Sequence, residues 1–108
     1  MTAVLDREQL RAVTMDDENL MREILAAVID DTSHQVNSLA AAIQIQDTGA
    51  CARLAHYSKG ACANVGANRI AALLTEIEYH AVAGALPECD RALRSLSGEL
   101  ELLRRERV

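Results

Sequence analysis

The chain has 108 residues and a net charge of −5; half of its residues are apolar, yet it has no Phe, no Trp and only two Tyr. That length suits one domain over residues 1–108, and an Ala-, Leu-, Ile- and Val-based apolar content with one Pro and five Gly favours an all-α fold. The charge argues against a nucleic-acid binder, which needs clustered Lys and Arg facing phosphates, and no apolar run approaches the roughly 20 residues of a membrane span.

A short first helix is expected over residues 5–13. Thr14, Asp16 and Asp17 then offer N-cap chemistry to a long second helix reaching about residue 46. Its apolar positions Leu20, Ile24, Val28, Val36, Leu39 and Ile43 follow helical spacing. At 1.5 Å per residue, some 30 residues would span about 45 Å. Asp47, Thr48 and Gly49 make a turn into a third helix over residues 50–64, which ends at Gly66, a natural glycine position after a helix. A fourth helix over residues 67–83 turns Ile70, Leu74, Ile77 and Ala81 inward. The segment 84–87 then turns the chain, Pro87 suiting a first helical position. The fifth helix carries Cys89, Leu93, Leu96, Leu100 and Leu103 on one stripe. Short turns force neighbouring helices to run antiparallel. The expected architecture is therefore an antiparallel up-down four-helix bundle with a short additional N-terminal helix. Arg104, Arg105 and Arg107 form the one basic cluster, and at the end of the last helix they suit the negative end of its dipole.

Cys51, Cys62 and Cys89 are odd in number and scattered, so they are expected as free, buried thiols in a reducing cytoplasm. No signal-peptide pattern opens the chain. Met1 and the lack of a linker lean towards a free-standing protein rather than a domain excised from a larger kinase.

On a helical wheel of 100° per residue, the third helix gathers Cys51, Leu54, Ser58, Ala61, Cys62 and Val65 on a core stripe. His56 and Lys59 project from the other side, among Gly49, Ala52, Gly60 and Ala63, all small. A solvated helix face normally carries long charged side chains, so this one asks for an explanation. An exposed imidazole, with a reference pKa near 6.5, is largely neutral at about pH 7 and can act as a nucleophile. Lys59, at i+3, can bring its ammonium to an added phosphoryl group. Gly60, at i+4, costs about 1 kcal/mol relative to Ala inside a helix, a cost more readily kept where close approach is needed. Small neighbours such as Ala52, Gly60 and Ala63 leave a flat surface on which a partner can dock. Positioning and charge neutralisation are most of what phosphoryl transfer requires.

The stretch Ala55-His56-Tyr57-Ser58-Lys59-Gly60-Ala61, followed by Asn64-Val65-Gly66-Ala67, resembles the motif of histidine-containing phosphotransfer (HPt) domains, Ala-His-x-x-Lys-Gly with a downstream Gly. Ile77-Glu78 matches the apolar-acidic pair that many such domains carry on the next helix, and helix order and turns agree over nearly the whole chain. The resemblance implies that His56 is the phosphoacceptor and that Lys59 stabilises the phosphoryl group. It implies exchange with an aspartate of a response-regulator receiver domain, which supplies the Mg²⁺, and a sensor or hybrid histidine kinase upstream. The domain would be a phosphoryl carrier without kinase or phosphatase activity of its own, binding no cofactor or metal, cytoplasmic and monomeric. Glu78 should lie across the helix hairpin from His56, where it either orients the imidazole by accepting its N–H or is an idle surface carboxylate. Ser58 departs from the family's Leu and should bond back to the carbonyl one turn earlier; the second helix, with Val28 and Ile29, lacks the family's common Phe.

Other readings stay open. A docking adaptor that keeps the bundle without phosphotransfer, a histidine-phosphoacceptor bundle charged directly by a kinase, and an oligomerisation bundle are the rivals. His34 and His80 are expected to be ordinary surface or boundary residues. Glu76 and His80 are spaced by four with no counterpart on another helix, which does not make a metal-binding bundle. No Ser-His-Asp or Cys-His constellation suggests hydrolysis.

Overall fold

A computed structural model describes residues 3–108 of the chain. They form five helices: α1 (Arg7–Thr14), α2 (Glu18–Gln44), α3 (Thr48–Asn64), α4 (Asn68–Val82) and α5 (Leu86–Arg104). Among the described residues there is no strand, and no helix is long and apolar enough to cross a membrane. Each of α2 to α5 packs on the next, and α5 returns to pack on α2, which closes an antiparallel four-helix bundle. The short α1 lies against α2 and α3. The 27 residues of α2 set the 42 Å long axis of the molecule, close to the roughly 40 Å that helical rise gives.

Three aspartates start three helices. Asp6, Asp17 and Asp47 each accept, through the carboxylate, the backbone N–H three residues on, at 3.2, 3.1 and 2.9 Å. Each cap satisfies a donor that the first helical turn leaves orphaned, worth about 1 kcal/mol. These contacts correct the expected boundaries. Thr14 is not an N-cap but the last residue of α1, buried, with its hydroxyl donating to the Leu10 carbonyl at 2.7 Å. Met15 and Asp16 take left-handed φ values of 54° and 63° to turn the chain into Asp17. Asp47 caps α3 two residues earlier than the sequence suggested. Leu5 lies before α1 and is buried instead of opening the helix.

The core is aliphatic, with Leu10, Leu39, Ile70, Leu74, Ile77, Leu96 and Leu103 fully buried. The α4 and α5 stripes lie where helical spacing put them. On α2 the inner seam runs through Met21, Leu25, Thr32, Leu39 and Ala42, while Leu20 is exposed. Adjacent apolar pairs at 20/21, 24/25 and 28/29 make two phases equally plausible there, and packing chose the second. On α3 the inner face is Cys51, Ala55, Ser58 and Cys62; Ala61 is exposed and Leu54 half-buried. Ser58 is buried and its hydroxyl donates to the Leu54 carbonyl at 2.9 Å, the back-bond expected of it. The thiols of Cys51, Cys62 and Cys89 are free and buried, and burial pushes all three pKa values up.

The turn between α3 and α4 is held by contacts from both sides. The Gly66 and Ala67 N–H groups donate back to the carbonyls of Ala63 and Cys62, at 3.2 and 2.9 Å, ending α3. This requires φ +89° at Gly66. The Gly66 carbonyl in turn accepts the Asp6 N–H at 2.8 Å, and the Gln9 side chain donates to the Ala63 carbonyl at 2.5 Å. A Cβ at residue 66 would stand 2.5 Å from the Asp6 carbonyl oxygen. Gly66→Ala therefore meets a backbone clash as well as a left-handed φ that alone costs about 1–2 kcal/mol. We expect it to lower the thermal midpoint by about 4 °C or more, measured by circular dichroism; an unchanged midpoint would remove the turn from the account of stability.

Candidate functional site

His56 is the midpoint of α3, eight residues from either end. Its side chain is 68% exposed. It points away from the Cys51-Ala55-Ser58-Cys62 face because it stands roughly opposite that face on the helical wheel. Opposite it, on α4, Glu78 reaches His56 and Lys59 at once. One carboxylate oxygen (Oε2) lies 2.9 Å from His56 Nδ1. The other (Oε1) accepts a hydrogen bond from Lys59 Nζ at 2.6 Å. Small buried side chains on the inner face of α3 let the two helices pack closely, since interaxial distance follows the side chains at the contact.

The electrostatics assign the proton. The Lys59 hydrogen bond, first, and then the His56 bond hold the Glu78 carboxyl below its ordinary value of 4.5, against the opposing effect of partial burial. An ionised carboxylate can only accept, so the 2.9 Å contact calls for a hydrogen on His56 Nδ1, donated to Glu78. In a neutral ring that tautomer has its lone pair on Nε2. Hydrogen bonding of this kind is how a carboxylate selects a histidine tautomer.

The surroundings match the sequence reading in part. Gly60 and Ala63 are exposed and Ala52 is half-buried, so the small-residue face exists. A Cβ at Gly60 would have no heavy atom within 4 Å, so nothing inside the chain requires glycine there. His34 is exposed, and His80 is half-buried on α4. Among the described residues, no group of three or more His, Cys, Asp or Glu side chains could hold a metal ion. The wheel of α3 did not bring out Tyr57, Tyr79 and Val82 as a surface. They are 70%, 70% and 77% exposed, and Tyr79 and Val82 share a shallow groove with Glu78. The available signal was composition: the only two Phe, Tyr or Trp residues of the chain follow His56 and Glu78 directly.

An exposed imidazole bonded to a carboxylate that also holds a lysine, at the middle of a bundle helix, is the candidate site. The model of the Hpt domain family matches residues 23–106. The chain belongs to the Hpt domain family. It is a histidine phosphotransfer domain of two-component phosphorelay signalling. The crystal structure of histidine-containing phosphotransfer protein B (HptB) from Pseudomonas aeruginosa PAO1 superposes with a TM-score of 0.88 at 27% identity, over 96% of this chain and 90% of that one. No curated protein sequence matches the chain. As an Hpt domain the chain acts as a phosphoryl carrier between kinases and response regulators.

The network has a pH signature. Because the Glu78 carboxyl is held below 4.5, its contribution to stability is complete above about pH 4.5 and is lost as pH falls through the lower folded value. Lys59→Ala should move the Glu78 midpoint, followed by carboxyl ¹³C NMR, up towards 4.5, and by more than His56→Gln does. A Glu78 midpoint that ignores Lys59 would mean the 2.6 Å contact does not persist in solution.

Proposed function

We propose that His56 is the phosphoacceptor and that its Nε2 is the reacting atom. The observation that carries the reading is the 2.9 Å contact of Nδ1 with Glu78 on a side chain that is 68% exposed; with the hydrogen on Nδ1, the lone pair of a neutral ring is on Nε2. The Nε2 lone pair attacks the phosphorus of an aspartyl phosphate. The N–P bond forms as the P–O bond breaks, and the aspartate leaves as a carboxylate with the bonding pair. The ring becomes a phosphoimidazolium whose Nδ1–H still donates to Glu78, so the carboxylate stands beside the positive charge as it develops. The reverse sequence returns the group.

Lys59 holds Glu78 in the resting site and is one helical turn from His56, where its ammonium can transfer to the incoming phosphoryl oxygens. The donor and acceptor is the aspartate of a response-regulator receiver domain, which brings the Mg²⁺; a sensor or hybrid histidine kinase lies upstream. The chain has no resident cofactor and no kinase or phosphatase activity of its own, and it works as a cytoplasmic monomer. Ala52, Gly60 and Ala63 form the surface on which the receiver closes. That Gly60 is a free-standing glycine in mid-helix supports this reading, because no contact within the fold accounts for it.

His56→Gln should abolish acid-labile phosphorylation by a phosphorylated receiver while leaving the helical circular dichroism spectrum intact; His34→Gln and His80→Gln should label normally. Label that survives in the His56 variant would put the acceptor elsewhere. Lys59→Ala should slow transfer by a factor nearer tenfold than a thousandfold, since a screened charge pair is worth about 1 kcal/mol.

Gly60 separates a docking face from a bland helix position. Gly60→Ala should raise stability by up to about 1 kcal/mol through helix propensity. Gly60→Gln should fold as well as the wild type yet transfer more slowly, since its side chain projects over the approach to His56. Measuring thermal midpoint and transfer rate on the same variant decides it, and normal transfer would remove Gly60 from the docking surface.

A further inference from the structure

The core of this bundle contains no aromatic side chain. The chain's two tyrosines are both 70% exposed, although apolar bodies of that size are what a small core would most readily bury. Tyr57 follows His56 on α3, and Tyr79 follows Glu78 on α4. His56 and Glu78 are the two residues joined at 2.9 Å. Lys59 marks the side of α3 that faces α4. A step of 100° from His56 turns Tyr57 to the other side. The same step from Glu78 turns Tyr79 away from α3.

Each ring also borders a shallow groove built from its own helix. One of about 350 Å³ is lined by Ala50, Arg53, Leu54 and Tyr57. The other, of about 390 Å³, is lined by Thr75, Glu78, Tyr79, Val82 and Ala83. Thr75, Tyr79 and Val82 are at the i, i+4, i+7 spacing of one face, and Val82 is 77% exposed. The Tyr79 ring is set edge-on to that of His80, with centroids 5.4 Å apart.

We propose that Tyr57 and Tyr79 are the two anchors of the receiver-docking surface, bracketing the phosphoacceptor, with Val82 extending the Tyr79 side along α4. The proposal rests on the reading of His56 as the acceptor. A partner that brings an aspartyl phosphate within bonding distance of Nε2 has to cover the residues on either side of it. The tyrosines and their grooves are the large apolar surface continuous with that point. Tyr is among the residues that most often carry binding energy at interfaces, because it offers a large rigid body and a polar tip at low entropic cost. The surface therefore lies across α3 and α4, and reaches beyond the small-residue face of Ala52, Gly60 and Ala63. The matching receiver surface is apolar and flanks its phosphoaspartate pocket on both sides. The phosphoryl chemistry stays with His56, Glu78 and Lys59, while partner affinity and choice lie with the tyrosines.

The test starts from a panel of isolated phosphorylated receiver domains, carrying forward the one that exchanges with the wild-type chain fastest. Single-turnover transfer is then measured against receiver concentration for Tyr57→Ala, Tyr79→Ala, Val82→Ala, Tyr57→Phe and Tyr79→Phe. Each Tyr→Ala variant should raise the half-saturating receiver concentration by about tenfold or more and leave the saturating rate within about twofold. The Phe variants should recover most of the affinity, and Val82→Ala should show a smaller rise than Tyr79→Ala. Labelling of His56 by phosphoramidate, a donor too small to need docking, should be unchanged in every variant. Half-saturation that is unchanged in both Tyr→Ala variants overturns the proposal. So does loss of phosphoramidate labelling, which would make the tyrosines part of the site itself. A wild-type chain that exchanges with no receiver and takes no label on His56 fails the acceptor reading instead. Sedimentation equilibrium covers the other occupant of these grooves: a wild-type dimer that Tyr79→Ala dissociates, with receiver affinity unchanged, would make this face a contact between copies.

Discussion

The glycine turn between α3 and α4 is the constraint on which the site depends. Gly66, at φ +89°, reverses the chain in so few residues that α4 returns directly along α3. His56 is ten residues before Gly66 and Glu78 twelve after it, so the two side chains arrive at the same height on neighbouring helices. A longer or looser turn would shift α4 along α3, and one residue of slip moves a side chain by 100° around its helix. The turn is held from outside as well. The backbone of Asp6 packs on Gly66 closely enough to exclude any Cβ, and the Gln9 side chain adds a second donor to the Ala63 carbonyl at the end of α3. In this way α1, which touches none of the reacting groups, helps to set their register.

The chemistry of the site is economical because Glu78 serves two neighbours with two oxygens. One oxygen holds the imidazole proton on Nδ1 and the other holds the lysine. The three groups form a chain of charge-assisted contacts at the protein surface, where any single ion pair contributes little. Their value is geometric. The ring is kept in one orientation, Nε2 faces outward, and the lysine waits one turn away. A rigid helix middle is a good place for such a group, since a nucleophile on a loop would have to be ordered at each transfer.

The distribution of aromatic residues divides the protein into two parts with different tasks. Aliphatic side chains, alanines and cysteines fill the interior, and the bundle is correspondingly slender at 42 × 26 × 20 Å. The tyrosines are both on the surface, directly after His56 and Glu78 in the chain. Surface apolar groups are ordinary one at a time, but here both tyrosines stand next in sequence to the two residues of the His56–Glu78 contact, and each borders a groove.

Much of this was legible from residue order. Periodicity located five helices to within about two or three residues at each end, and placed the inward stripes of α4 and α5 residue by residue. In α5 polar residues separate most of the inward positions, and in α4 large apolar residues recur at 70, 74 and 77. The His-x-x-Lys-Gly run with Gly66 beyond it marked the site, because an exposed histidine among small neighbours on a helix has few structural uses. Other features depended on the packed structure. The phase of α2 was ambiguous because apolar residues come in adjacent pairs, and only contact with the neighbouring helices selects Met21 and Leu25 over Leu20 and Ile24. Ala55 and Ala61 are identical in sequence terms, and packing alone buries one and exposes the other. Whether Glu78 was an idle carboxylate or a partner of His56 required a distance between helices, which no spacing along one chain contains. The sequence by itself therefore determined the helices, their order and the candidate nucleophile, all properties of local periodicity and turn chemistry. The tertiary structure alone decided that Glu78 meets both His56 and Lys59 and that both tyrosines stay on the surface, because each depends on how two helices meet.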